Sequence, residues 1–220
     1  MSTDTKQVVT EEKPVEEKPV EEKPVEEKPV EEKPAAKPAA KPAAKPAAKP
    51  AAKPVELPAF EKSISDKVVE KFGDKIQVEF VKENRVGIKV NREDVHDVAE
   101  FIRDGLNYDH VESVSGVDYP QDKEIEVVYH IGSYSDSSLA KQILVLATRA
   151  QREENPIPGK DATKLPTLRD IFYSVEFHER EIFEMFGVFF DGHPDNRRLL
   201  LPEDWADLPP LRKDFALKGR

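Results

Sequence analysis

Four residues near the end of the chain have side chains that could ligate a metal ion. They are His178, Glu181, Glu184 and His193. On a helix the first three would share one face, because they are spaced three residues apart. The spacing does not match His-Glu-x-x-His, and a di-iron bundle would need two Glu-x-x-His motifs with further glutamates from other helices. We therefore favour structural roles for these residues.

Structural roles can be assigned to individual members of this region. We expect Glu179 and Glu181 to hold neighbouring backbone donors and arginines, and His193 to fix a turn before Pro194. Elsewhere, His130 and the serines of 133–138 form no Ser-His-Asp pattern. There is no glycine-rich nucleotide motif. The sequence thus predicts no catalytic residue.

Redox centres are restricted by the absence of cysteine from the sequence. Thiolate-held iron–sulfur clusters, thiolate-ligated nickel–iron centres and disulfides all require that residue. We expect no cofactor and no metal in this chain.

A cluster of basic residues stands out against the formal net charge of −10. Arg197, Arg198, Arg212 and Lys213 are interleaved with leucines and prolines in an irregular segment. Arginine forks suit interfacial carboxylates and backbone carbonyls. A partner interface is therefore favoured over solvated surface charge, whereas the acidic balance of residues 55–220 argues against binding nucleic acid.

The first 55 residues consist largely of Glu-Glu-Lys-Pro and Ala-Ala-Lys-Pro repeats. Frequent prolines prevent a helix, and few apolar side chains are available to bury, so we expect a disordered tail biased towards polyproline II. The N-terminus has no apolar signal region and is unlike a mitochondrial transit peptide. This favours a prokaryotic, cytoplasmic protein.

Regular elements are predicted from residue 63 onwards. The pattern favours a helix over 63–72 capped by Ser63, a hairpin over 76–90, and a helix that Asn91 caps. Strands follow over 111–119 and 123–131. Residues 139–149 have a helical composition.

The last third of the chain is predicted to be less regular. We expect a loop over 150–166, a helix over 167–186 capped by Thr167 and ended by Gly187, and no regular structure from Val188. Large apolar side chains in that last segment would need a partner to cover them. The predicted domains are a tail (1–55), an α+β domain of helices on a mostly antiparallel sheet (56–187), and an extended segment (188–220).

An ordered series of motifs in this region carries a family resemblance. It comprises Glu179-Arg180-Glu181, Glu184-Met185-Phe186-Gly187, Gly192-His193-Pro194, Arg197-Arg198-Leu199-Leu200, Pro202-Glu203-Asp204-Trp205 and Leu211-Arg212-Lys213-Asp214-Phe215. This series resembles the 30-kDa (C-type) subunit of respiratory complex I. The motifs around Glu179 and Glu184 are most similar to those of coenzyme-F420 dehydrogenases and energy-converting hydrogenases.

The resemblance implies a strand over 139–149 and a cofactor-free subunit in the peripheral arm of a membrane-associated oxidoreductase. Implied partners are the large hydrogenase-like (49-kDa, D-type) subunit and iron–sulfur subunits, with only indirect membrane contact on the cytoplasmic side. The alternatives are a hydrogenase subunit and a free adaptor with a proline-rich tail. The motif and interface residues would be Glu179, Arg180, Glu181, Glu184, Gly187, His193, Pro194, Arg197, Arg198, Arg212, Lys213 and Asp214.

Overall fold

A computed structural model describes residues 58–157, 159–205 and 207–216. The tail predicted for residues 1–55 lies outside these ranges. The α-helices and strands are α1 (Ala59–Phe72), β1 (Ile76–Lys82), β2 (Arg85–Val90), α2 (Val95–Leu106), β3 (His110–Tyr119), β4 (Glu124–Gly132), β5 (Ile143–Gln151), β6 (Lys164–Pro166), α3 (Val175–Phe186) and β7 (Phe189–Asp191).

The main sheet has five strands in the order β1-β2-β5-β4-β3. Three of its four pairings are antiparallel, and only β2 and β5 run parallel. The core combines residues of α1, α2 and α3 with alternate residues of the strands, such as Val127 and Leu146. The prediction of helices on a mostly antiparallel sheet is confirmed.

The clearest periodicities fold as the sequence predicts. The hairpin over 76–90 forms β1 and β2, and its turn includes Asn84 with a φ of 61°. Helix α2 buries the apolar positions that repeat at helical spacing: Val95, Val98, Ala99, Ile102 and Leu106. The caps predicted at Ser63 and Asn91 are wrong. Ser63 lies inside α1, where its hydroxyl donates to the Phe60 carbonyl, and Asn91 precedes the helix start by a full turn.

Residues 139–149 contribute the central strand, β5. The strand implied by the resemblance is confirmed. Strands β2 and β4 flank it, and the consecutive residues 144–147 are all buried. A continuous apolar run fits this position better than the one-sided pattern of an amphipathic helix.

The third helix is shorter than predicted. It begins at Val175, and the residues from Leu168 to Ser174 form turns. Leu168, Ile171 and Phe172 are nonetheless buried, because these turns fold against the core. The loop predicted over 150–166 is partly wrong, since β6 lies within it. The absence of regular structure after Val188 is also wrong at β7, which pairs in parallel with β6.

Candidate partner interface

Helix α3 binds the following irregular segment with two side chains one helical turn apart. Arg180 donates from Nε to the Arg197 carbonyl and from Nη2 to the Arg198 carbonyl, both at 2.9 Å. Glu184 accepts the three consecutive amides of residues 199–201 at 2.9–3.0 Å. We call Arg180 and Glu184 the α3 clamp. It satisfies backbone groups that have no helix or sheet partner.

Two of the predicted interface arginines make contacts close to them in sequence. Arg198 donates to the carbonyls of Pro202, Glu203 and Trp205, and thereby closes a loop. Arg197, whose side chain is 84% exposed, forms a two-pronged pair with Asp195. The hydrogen bond from Arg197 lowers the pKa of Asp195 to about 2. Whether these arginines also contact a partner stays a prediction.

Arg212 is only 2% exposed and lies at the C-terminal end of α3. Its Nε donates to the Phe186 carbonyl at 2.6 Å, and its Nη1 donates to the Glu153 carbonyl. A cation at this position complements the negative end of the helix dipole. Gly187 ends the helix with a φ of 78°, and a Cβ there would lie 3.1 Å from Arg212 Nη2. Arg212 therefore fastens the segment to its own chain.

The next two residues extend this attachment to the end of β3. The Lys213 amide donates to Asp118 at 2.8 Å, and the Asp214 carboxylate pairs with Arg152 at 2.8 Å. Arg152 in turn binds Asp118, whose side chain is 1% exposed. The terminal motif thus completes an ion-pair network on the sheet.

Glu179 lies on the buried face of α3 and is fully buried. Its carboxylate accepts hydrogen bonds from the hydroxyls of Tyr129 and Thr167 and from the Leu168 amide. Burial raises the pKa of Glu179 to about 7. Thr167 serves this carboxylate instead of capping a helix, and Glu179 joins β4 to the turn before α3.

His193 lies beside this carboxylate, with Nε2 at 3.9 Å from Glu179. Its Nδ1 accepts the Asp195 amide, and its Nε2 contacts the Glu176 carbonyl at 3.1 Å. These partners assign the ring proton to Nε2. The turn-fixing role expected of His193 is consistent with this geometry, while Pro194 beside it is exposed.

The side chains considered as metal ligands do not meet at a common site in the described residues. Glu184 is engaged by amides, whereas Glu181 is exposed, and its expected role in holding backbone donors stays a prediction. Within the described ranges, no group of three or more His, Asp or Glu side chains is arranged to hold a metal ion. In those same ranges no helix is long and apolar enough to span a bilayer.

Exposed apolar side chains occur in the segment that the α3 clamp holds, as the sequence predicts, and also on and just before α3, where it did not. Four large side chains in the turn before α3, on α3 and in the clamped segment are exposed: Tyr173 (74%), Phe177 (59%), Leu199 (41%) and Leu200 (63%). Arg180 lies 5.9 Å from the Phe177 ring and also binds residues 197 and 198, which connects the helix to the leucines. We call these four residues the apolar patch. The four-residue step from Tyr173 to Phe177, outside the buried stripe, was the available signal.

Comparison with known proteins gives a consistent result. Residues 88–220 match the family model described as respiratory-chain NADH dehydrogenase, 30 Kd subunit. The C subunit of the F(420)H(2) dehydrogenase of Methanosarcina mazei is 36% identical over 131 residues, covering 60% of this chain and 75% of that protein. The C subunit of the NADH-quinone oxidoreductase of Chlorobium phaeobacteroides is 35% identical over 156 residues, covering 70% and 87%.

A solved structure agrees with these sequence matches. A chain in the membrane-bound sulfane sulfur reductase, an archaeal respiratory membrane complex, aligns with a TM-score of 0.57 and 26% identity. The alignment covers 71% of this chain and 85% of that chain. The resemblance drawn from the motifs is confirmed. The chain belongs to the family of the 30-kDa subunit of the respiratory-chain NADH dehydrogenase.

Proposed function

We propose that this chain is a cofactor-free structural subunit in the peripheral arm of a membrane-associated, complex I-like oxidoreductase. Its role is to pack against and stabilise the large hydrogenase-like subunit, beside iron–sulfur subunits, on the cytoplasmic side of the membrane. The apolar patch carries this proposal. Four large exposed apolar side chains around one helix are characteristic of a protein interface.

The clamp explains how this surface is presented. Residues 199–201 have their amides bound by Glu184, so their backbone is fixed while the side chains of Leu199 and Leu200 project outward. A surface that is ordered before association costs less entropy when it binds. The basic residues of the motif thus support the surface, and the partner contact is mainly apolar.

The proposal is tested by replacing two residues of the patch in cells that make the native complex. We expect Phe177→Ser with Leu200→Ser to remove this chain from complexes purified from membranes, because hot-spot side chains typically contribute about 2 kcal/mol or more each. The matched control is Phe60→Ser with Val69→Ser, on α1, where the two residues are 47% and 43% exposed.

The control pair should leave incorporation unchanged, since α1 packs near β1 and β2 and α3 packs near β3. Normal incorporation of the patch variant, with an unaltered melting temperature, would exclude this surface as the contact. If the wild-type chain is instead recovered alone after native membranes are extracted with mild detergent, the free-adaptor alternative is favoured.

The electron donor is a separate question. The relatives include subunits of an F(420)H(2) dehydrogenase and of NADH-quinone oxidoreductases, and the structural match is to a sulfane sulfur reductase complex. A hydrogenase-type complex is the second candidate, because the motifs around Glu179 and Glu184 also resemble those of energy-converting hydrogenases. Assays of the purified complex with NADH, reduced F420 and reduced ferredoxin distinguish these donors.

A further inference from the structure

The buried carboxylate of Glu179 is held by uncharged donors. Its Oε1 accepts hydrogen bonds from the Tyr129 hydroxyl and the Leu168 amide, and its Oε2 accepts one from the Thr167 hydroxyl. Within the described ranges its one ion-pair contact is with His193, whose Nε2 lies 3.9 Å from Oε2. Such surroundings favour the protonated carboxyl group, because the Thr167 hydroxyl can also accept a hydrogen bond from Oε2.

Two acceptors on α3 lie close to the same proton of His193. The Nδ1 atom accepts the Asp195 amide at 3.0 Å, so the ring proton lies on Nε2. From Nε2 the Glu176 carbonyl oxygen is 3.1 Å away, whereas Glu179 Oε2 is 3.9 Å away. Both side chains, of His193 and Glu179, are completely buried, so bulk water does not take the place of either acceptor. The observed contact with the Glu176 carbonyl is the one expected while Glu179 carries a proton.

The other ionisable groups that face Glu179 supply no positive charge. Burial raises the pKa of Tyr129 well above its ordinary value, so its hydroxyl stays a donor near neutral pH. Asp170, in the turn before α3, pairs with His96, and its negative charge adds to the effect of burial in raising the pKa of Glu179. When Glu179 ionises, the Nε2–H of His193 is therefore the donor that can turn towards the new charge.

We infer that His193 is a proton-controlled switch between two positions on α3. Its Nε2–H bonds the Glu176 carbonyl while Glu179 is protonated, and it turns to the Glu179 carboxylate when that proton is lost. The second position is preferred after ionisation because a hydrogen bond to a charged acceptor is stronger than one to a carbonyl. The switch goes beyond the proposed function, since all of its groups belong to this chain.

Asp195 connects this switch to the α3 clamp. Its amide is bound to His193 Nδ1, and its carboxylate lies 3.4 Å from Arg180 Nη1. Arg180 in turn holds the two carbonyls that precede Leu199. A rotation of the His193 ring towards Glu179 therefore pulls on Asp195 and loosens the clamped segment.

The first test follows the Nε2–H of His193 by NMR in the full chain with ¹⁵N-labelled histidine. We expect its resonance to move downfield as the pH rises through about 7, where Glu179 ionises. Glu179→Gln should keep the resonance at its low-pH position, because the amide nitrogen of glutamine is a donor and not an acceptor. Glu176→Gln is the matched control. It leaves the Glu176 carbonyl in place and should titrate like the wild-type chain.

The second test measures hydrogen exchange at the amides of residues 199–201. Near pH 8 these amides should exchange several-fold faster in the wild-type chain than in Glu179→Gln, and near pH 5 the two should agree. Comparing both proteins at one pH removes the ordinary pH dependence of exchange. If Glu179→Gln does not fold, Asp170→Asn replaces it: loss of that negative charge should move the transition of the His193 resonance to lower pH.

Two results would overturn the inference. A His193 resonance that stays constant between about pH 5 and pH 8, or that moves equally in the wild-type chain and Glu179→Gln, would show that there is no switch. Equal exchange at residues 199–201 in both proteins near pH 8 would show that the switch does not reach the clamp. Neither result alters the loss expected for Phe177→Ser with Leu200→Ser, so the inference and the proposed function can fail separately.

Discussion

Residues 59–151 and the described residues from 164 onwards share one apolar core, but the later region depends in addition on charged side chains that bind the backbone. In the first region, helices α1 and α2 and five strands bury aliphatic side chains at regular spacing. In the second, side chains such as Arg180, Glu184 and Arg212 bind backbone groups of an irregular chain. Regular elements satisfy their own amides and carbonyls, whereas an extended segment must find other donors and acceptors.

The difference explains why the motif is dense in charged residues. In the second region a single carboxylate or guanidinium serves two or three backbone groups, as Glu184 and Arg198 do. Such bonds to charged groups are stronger than neutral ones. The leucines between them can then be exposed for another purpose.

The largest expected effect comes from the regular region. Ile102→Ala should lower the free energy of unfolding by about 4 kcal/mol, because it removes a fully buried side chain and leaves a cavity in the core. Urea denaturation of the purified chain measures this change. Val69→Ala, at an exposed site of α1, is the control, and a loss below about 1 kcal/mol for Ile102→Ala would contradict this view of the core.

Glu179 joins the two regions, and it should make the stability depend on pH. Its folded pKa of about 7 lies above the ordinary value of 4.5, so the folded state binds the proton more tightly. The stabilising contribution of this carboxyl group is therefore fully present below about pH 4.5 and is lost as the pH rises through 7. At pH 8 the loss is about 3 kcal/mol.

Glu179→Gln should remove that loss. The amide oxygen can keep the bonds from Tyr129 and Leu168, and the amide nitrogen can donate to the Thr167 hydroxyl. The variant should match the wild-type chain near pH 5 and exceed its unfolding free energy near pH 8. Parallel urea curves between these pH values measure the difference, and a constant difference would show that Glu179 does not titrate there.

A smaller effect is expected from the irregular region. Arg212→Met leaves the Phe186 and Glu153 carbonyls without their donor and should cost about 2 kcal/mol. Hydrogen exchange should accelerate at the amides of Leu211 and Lys213, while α2 stays protected. Arg197→Met, at an exposed pair, should change stability by less than about 0.5 kcal/mol. Equal exchange in both variants would refute the anchoring role.

The sequence predicted the fold well where buried apolar residues recur with the period of a helix or a strand. Helix α2 and the hairpin of β1 and β2 follow directly from such spacing. For β5 the helical composition competed with the strand, and the tertiary position between two strands decided the outcome. The family resemblance supplied what periodicity alone did not.

Prediction was weaker where side chains bind the backbone at long range. The start of α3 was misplaced because Leu168, Ile171 and Phe172 have helical spacing but lie in buried turns. The contacts of Arg212 with residues 153 and 186 join distant parts of the chain, and no local pattern encodes them. Whether Arg212 also contacts a partner stays a prediction.

The central place of β5 also has a consequence for the order in which the sheet is assembled. The hairpins β1–β2 and β3–β4 each close through nearby residues, but β2 and β4 meet only through β5. During synthesis both hairpins leave the ribosome before this strand, with their inner edges unpaired. Such edges promote association with other chains, and non-local pairing is slow. The arrival of residues 143–151 is therefore the step that closes the sheet and ends this exposure.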